Sequence, residues 1–326
     1  MARFLARRLA TAAATLLLIT AVVFLLVHLA PGDPLAEGAG EAATHPLSPE
    51  ARASLRAQYR LDRPVLVQYV LWLSDLVRGD LGRSILDRRP VAETIASRLG
   101  LTLTLNLLAL VVMVLCAVPL GALGALRPGS VWDRGGALAT YLLYALPVFW
   151  AALLLQSALS VRLGWLPLAG VRSSGFEYLG GLDRLVDRAA HLALPVACLS
   201  YGGLAYLSRF VRASLLDARA ESWRAVRARG ASKIAVLYRH GFRQAGVPML
   251  TLAGFLLPGL VGGSVLVETI FAIPGLGRLF VEAAFGRDVP VVMGLTLLSA
   301  AATLAGIFLA DVLYAVIDPR IRRTRA

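Results

Sequence analysis

Four histidines (His28, His45, His191, His240), two cysteines (Cys116, Cys198) and twenty carboxylates are the groups from which this 326-residue chain could assemble a reactive centre. The histidines are scattered, and no H-E-x-x-H pattern sets two of them on one helical face, so a metal site lacks its ligands. No G-x-S-x-G turn presents a nucleophilic serine. A phosphate-binding loop needs Gly-Lys, and the chain's only lysine, Lys233, follows Ser232. Nucleotide hydrolysis by that loop is therefore excluded, and any nucleotide-driven process must draw its energy from another subunit. Both cysteines lie in apolar runs and read as small buried hydrophobes, without a disulfide framework. What remains is a basic cluster, RAESWRAVRARGASKIAVLYRHGFR, from Arg219 to Arg243. Its chemistry is binding.

The elements that must position this cluster are apolar. Hydrophobic residues make up 58% of the chain and charged residues 16%, with mean hydropathy +0.71. Uncharged runs cover Leu9–Gly32, Leu99–Leu126, Gly135–Val161, Ala189–Ser208, Gln244–Val267 and Val289–Ala310. Each exceeds the ~18–20 residues that a helix needs to cross the hydrocarbon. Continuous runs exclude the alternating pattern of a barrel. The sequence predicts an all-α polytopic membrane protein with six spans. The first run is longer than a signal-peptide core and reads as a retained helix.

Charge orients the spans. The N-terminus, Arg127–Arg134, Arg209–Arg243 and the C-terminal tail together hold 18 basic and 4 acidic residues. Segments 31–98, 162–188 and 268–288 hold 15 of each. Basic loops stay in the cytoplasm, so both termini are expected there. The pI near 10.7 then reflects topology, not nucleic-acid binding.

Four regions follow: 1–30, the N-terminus and first span; 31–98, an extracytoplasmic helical subdomain; 99–317, a five-helix core; and 318–326, a tail. Within 31–98, Ser48 and Pro49 predict a helix start over 48–61. A second helix is expected over 64–79 with Val67, Val70, Leu71, Leu73 and Leu76 as its apolar stripe. The segment 267–290 is too apolar for an exposed loop and too interrupted to span, which predicts a re-entrant or interfacial hairpin. Pro119, Pro147, Pro195, Pro248 and Pro258 lie within spans, and Gly259 and Gly263 form a small-xxx-small pair. His28, Asn106 and Asp311 are the polar residues of the spans.

The basic cluster reads as two helices broken at Gly230. Leu215, Leu216, Trp223 and Val226 repeat at helical spacing before it, and Ile234, Leu237 and Tyr238 after it. Arg224, Arg227 and Arg229 fall at the first helix's C-terminus, and Gly230 suits the left-handed cap. A helix on anionic lipid accounts for the arginines. A helix presented to a partner's groove accounts also for the break and for Trp223.

On these residues the chain resembles the permease subunits of bacterial ABC importers. WRAVRARGASKIAVLYRHGFRQAGVPML is similar to their coupling segment (here 210–246), and the nearest branch is the B-type permease of dipeptide, oligopeptide and nickel importers. APGDPL after the first span, YRLDRPVLVQYVLWLSDLVRGDLGRS (59–84), VETIFAIPGLGRLFVEAAFGRDVPVVMG (267–294) and YAVIDPRIR (314–322) agree in order along nearly the whole chain. The general importer motif begins Glu-Ala-Ala, whereas this chain has Arg224, Ala225 and Val226, so no Glu contact is carried over.

The resemblance implies a type I permease architecture in the bacterial inner membrane. It implies a non-catalytic subunit without cofactors of its own, ATP and Mg being bound by partners. It implies ATPase contact at Trp223, Arg224, Ala225, Val226, Arg227, Arg229, Gly230 and Ser232. For the hairpin (268–290) it implies that Glu268, Phe271, Pro274, Gly275, Gly277 and Arg278 face a binding protein or the path. The implied partners are a C-type permease, two ATPase subunits and an extracytoplasmic solute-binding protein. Peptides are the expected cargo, with a nickel complex or an oligosaccharide as alternatives. An ion-coupled secondary transporter is the rival reading, for which only Asp311 and His28 offer intramembrane ionisable groups.

Overall fold

A computed structural model describes residues 2–29, 48–228 and 265–317, with side chains over 6–29, 48–217 and 265–309. These residues are helical apart from turns, loops and one isolated bridge between Arg83 and Pro90. The helices are α1 (Ala2–Leu29), α2 (Pro49–Gln58), α3 (Val65–Val77), α4 (Val91–Leu126), α5 (Val131–Ala145), α6 (Val148–Leu155), α7 (Gly181–Ala228), α8 (Val265–Ile270), α9 (Leu276–Phe285) and α10 (Val289–Ile317). Four described helical segments are long and apolar enough to span a membrane: Ala6–Leu29, Val91–Leu126, Gly181–Asp217 and Val289–Leu309. The expected span Gln244–Val267, with Pro248, Pro258, Gly259 and Gly263, lies almost wholly outside the described residues. Asp311 lies on α10 but its side chain, like the tail 318–326, is outside the described residues.

The expected span Gly135–Val161 is not one straight helix. It divides into α5 and a second piece, Val148–Arg162, bent by 98°. Pro147 explains the break: it lacks an N–H, and Leu146 before it is pushed to extended backbone at φ −78°, ψ 125°. The freed Leu146 carbonyl accepts the Tyr201 hydroxyl from α7 at 2.7 Å. Pro119 and Pro195 sit inside unbroken helices, as spans allow where neighbours re-satisfy the backbone.

The core runs along the contact of α4 with α7. In one half Met113, Ala117, Ala122, Ala125, Leu207, Val211 and Leu215 interlock. In the other, Leu105, Ala109, Ala152, Leu194, Cys198, Phe271 and Ile273 form a second cluster that reaches the hairpin. Cys198 is buried as expected, while Cys116 is exposed on the outer side of α4.

Helices α2 and α3 build the 48–98 region. Ser48 Oγ accepts the Ala51 N–H, with Pro49 in the first turn. The face of α3 that packs on α1 is not the expected apolar stripe. The Tyr69 hydroxyl donates to the Leu17 carbonyl at 3.0 Å and lies 3.0 Å from Thr20 Oγ1. Gln68 Oε1 meets His28 Nε2 at 3.0 Å, and Trp72 packs behind Phe24 and Met293. Val67 and Val70 stay exposed. The contact with α1 is made by side chains whose polar groups find partners, since burial without a hydrogen bond is costly, and Leu71, Leu73 and Leu76 are half-buried. His28 is thus a packing residue, stacked on Phe24.

Candidate functional site

The hairpin is held by one carboxylate. Glu268 on α8 is fully buried. Its Oε1 accepts the Thr102 hydroxyl from α4 at 3.1 Å, and its Oε2 accepts the Arg278 N–H at 3.0 Å. Thr102 Oγ1 in turn accepts the Leu276 N–H at 2.8 Å. Leu276 and Arg278 are in the first turn of α9, whose N–H groups have no partners within their own helix. Glu268 and Thr102 therefore cap α9 from two other helices, a negative charge lying where the helix dipole favours it.

Glycines make this approach possible. A Cβ on Gly275 would lie 2.5 Å from Glu268 Cδ and 2.6 Å from Thr102 Oγ1. One on Gly277 would lie 2.8 Å from the Val265 nitrogen. The turn before them closes α8 by the Ile273 N–H to Glu268 carbonyl bond (2.8 Å) and the Ala272 N–H to Thr269 carbonyl bond (3.2 Å). Ala272 is left-handed at φ +52°, a helix ending normally given to glycine.

Of the six hairpin residues singled out in the sequence, Pro274 is exposed and Arg278 half-buried. Glu268, Phe271, Gly275 and Gly277 are buried and hold the other two in place. Arg278 Nε donates to Glu282, which also receives Arg98 at 2.9 Å. The Gly170 N–H donates to the Phe271 carbonyl at 2.8 Å, and buried Gln156 donates to the Leu168 and Ile270 carbonyls. The loop after α6 is thereby fixed to the hairpin turn.

A second buried carboxylate starts α10. Asp288 accepts the Ser84 hydroxyl and the Ile85 N–H, the latter at 3.1 Å, drawing the loop before α4 onto the hairpin's end. Burial pushes its carboxyl above the usual range, against the hydrogen bonds that favour the anion.

At the opposite ends of α4 and α7 stands an ion pair. Arg212 Nε donates to Asp133 Oδ1 at 2.6 Å and Nη2 to Oδ2 at 2.8 Å. Beyond it α7 continues to Ala228 without a break. Trp223, Arg224, Ala225, Val226 and Arg227 lie on that helix, while Arg229, Gly230 and Ser232, and with them the expected turn, lie outside the described residues. No group of three potential metal ligands occurs among the described residues.

Sequence reasoning found Glu268 and the two glycines but missed Thr102, Ser84, Asp288 and the Asp133–Arg212 pair. Asp133 carried a local signal: Ser130 caps its N–H at 3.2 Å, three residues along. Arg212, 79 residues away, carried none.

Two family models match the chain. The binding-protein-dependent transport system inner membrane component covers residues 117–323, and the N-terminal component of such transport systems covers 1–106. The oligopeptide transport system permease AppB of Bacillus subtilis is 39% identical, over 98% of this chain and 99% of its own length. The dipeptide transport system permease DppB of Escherichia coli K12 is 34% identical over the whole of both chains. A putative peptide transport system permease of Brucella abortus is 38% identical over 99% of each. Among solved structures, the inward-facing MetNI methionine ABC transporter matches with TM-score 0.51 and 18% identity, over 68% of this chain and 97% of that one. That likeness concerns the fold.

Proposed function

The chain belongs to the binding-protein-dependent transport system inner membrane component family, and on that premise we propose that it carries peptides, as the permease subunit of an ATP-driven importer. The observation that carries this reading is the end-to-end match with oligopeptide and dipeptide permeases, 34–39% identical over 98–100% of the chain. An ion-coupled carrier would want ionisable groups free to bind its ion. The buried carboxylates Glu268, Asp288 and Asp133 each serve helix ends or an ion pair instead.

In this proposal both termini and the 210–246 segment face the cytoplasm, and the 31–98 region and the 268–290 hairpin face outward. The charge split between the two sets of loops supports that orientation. Trp223, Arg224, Ala225, Val226, Arg227, Arg229, Gly230 and Ser232 seat an ATPase subunit, which binds ATP and Mg. Pro274 and Arg278 present the hairpin toward a solute-binding protein or the path. A C-type permease completes the path, and closure of two ATPase subunits rocks the paired permeases between inward and outward access. The chain supplies path and lever, with no bond chemistry of its own.

The test is purification of the chain from its native membrane. ATPase subunits should accompany it, and the associated binding protein should release a peptide on denaturation. A nickel complex or an oligosaccharide released instead would overturn the cargo, and a chain that purifies without ATPase subunits would overturn the mechanism.

A further inference from the structure

Helix α5 has almost no core of its own. Its buried residues are Asp133 and Thr140, and Trp132, Leu138, Tyr141, Leu142 and Tyr144 are exposed. It is tied to α7 at its two ends by polar bonds. At one end the Tyr201 hydroxyl donates to the Leu146 carbonyl at 2.7 Å. At the other, Arg212 forks onto Asp133 at 2.6 and 2.8 Å. Asp133 is only 7% exposed while the Arg212 side chain is 36% exposed, and a half-buried ion pair is a weak reason for stability because desolvation and screening offset most of the attraction. Such a pair fixes distance and orientation.

The surroundings make that fixing effective. Asp133 Oδ2 also accepts the Gly129 N–H at 2.8 Å, so the turn joining α4 to α5 moves with the carboxylate. Gly121 and Gly124 bring α4 against α7: a Cβ at Gly121 would lie 2.5 Å from the Ser208 carbonyl oxygen, and one at Gly124 2.8 Å from Asp133 Oδ1. The remaining α4–α7 contact here is apolar, built from Met113, Ala117, Ala122, Ala125, Val211 and Leu215, and apolar contact is non-directional. Arg212 stands on a helix that continues sixteen residues further, to Ala228, about 24 Å at 1.5 Å per residue.

We propose that the Asp133–Arg212 pair is the joint through which movement at the far end of α7 is passed to the α4–α5 pair. Both are positioning residues of the transport cycle. The inference rests on the reading of Trp223, Arg224, Ala225, Val226, Arg227, Arg229, Gly230 and Ser232 as the ATPase contact. The fork adds a directional tie to this packed contact, so α4, the 127–135 turn and α5 follow α7 as one body. Without it only packing couples α7 to them.

The test uses the purified full importer in proteoliposomes, reading peptide taken up per ATP hydrolysed. Asp133→Asn keeps the bonds to Gly129 and Ser130 but removes the charge, and Arg212→Gln removes the fork. Each should keep its ATPase subunits and hydrolyse ATP, while uptake per ATP falls about tenfold, within the usual range of coupling between sites. The double variant Asp133→Asn/Arg212→Met should lose no more than either single one, because the two act as a unit. Arg212→Lys should restore part of the loss. Where a single variant fails to assemble, the double variant carries the test, since it buries no unpaired charge. An assembled double variant that couples like the wild type would overturn the proposal, as would losses that multiply. A wild-type importer that moves peptide without ATP would overturn the permease reading beneath it, which is a distinct outcome.

Discussion

The two ends of the molecule are fastened in different ways. At the hairpin end, Glu268 and Thr102 accept or donate three bonds among α4, α8 and α9, two of them from backbone N–H groups, with glycines pressed against the carboxylate. At the other end, one arginine fork joins α7 to the first turn of α5. Backbone donors cannot rotate away and close-packed glycines leave no room for adjustment, so the hairpin has one arrangement. At the fork, Gly121 and Gly124 also press α4 closely on its neighbours, and what the fork adds is one directional polar tie between α7 and α5. On the proposed function the hairpin end is a fixed outer surface and the fork end belongs to a lever that moves as a unit.

The largest effect is expected where adjustment is least possible. Gly275→Val and Gly277→Val should each displace α9 from Glu268, and the assembled complex should be lost with uptake. Overpacking of about 1–3 kcal/mol combines here with a stranded carboxylate. Membrane yield and uptake check this together. Normal yield with normal uptake would show that the glycines do not set the hairpin.

Next in size are Trp223→Ala and Gly230→Val on the segment beyond the fork. A buried aromatic anchor is commonly worth 2 kcal/mol or more at an interface, and both variants should release the ATPase subunits or uncouple them with the spans still inserted. Arg219→Gln and Arg239→Gln should mainly change salt dependence. Co-purification of the ATPase decides between them. If the arginine changes abolish it while the other two leave it intact, the segment rests on lipid instead.

Glu268→Gln sharpens the comparison further. It keeps shape but turns an acceptor oxygen into an NH2 facing either the Arg278 N–H or the Thr102 hydroxyl, at about 1–3 kcal/mol. The hairpin should loosen, read as faster proteolysis at Pro274, with the far end unaffected. The smallest effect is a gain. Ala272→Gly relieves a left-handed alanine and should stabilise the detergent-solubilised protein by about 1 kcal/mol, seen as a modest rise in melting temperature.

Four of the six spans, Ser48 as a cap, and the hairpin as an element too short to span were legible from run length and local signals, because those depend on neighbours in sequence. The bend at Pro147 was not. Pro119 and Pro195 look the same in sequence, and what separates them is Tyr201, 55 residues away, stabilising the opened carbonyl. The face of α3 was misjudged for a related reason. Of the stripe Val67, Val70, Leu71, Leu73, Leu76, the valines are exposed and the leucines half-buried, because Tyr69 and Gln68 take the contact with α1 through hydrogen bonds. At the hairpin, Glu268, Gly275 and Gly277 were singled out through the family resemblance, as facing a binding protein or the path, and all three are buried. Thr102, 166 residues from Glu268, had no signal of its own.

The most direct measurement of the central claim is uptake of a labelled dipeptide into proteoliposomes containing this chain with its co-purifying subunits and binding protein. ATP supplied to the side bearing residues 210–246 should drive accumulation, a non-hydrolysable analogue should not, and ionophores should leave it unchanged. Accumulation that proceeds without ATP and collapses with an ionophore would contradict the account.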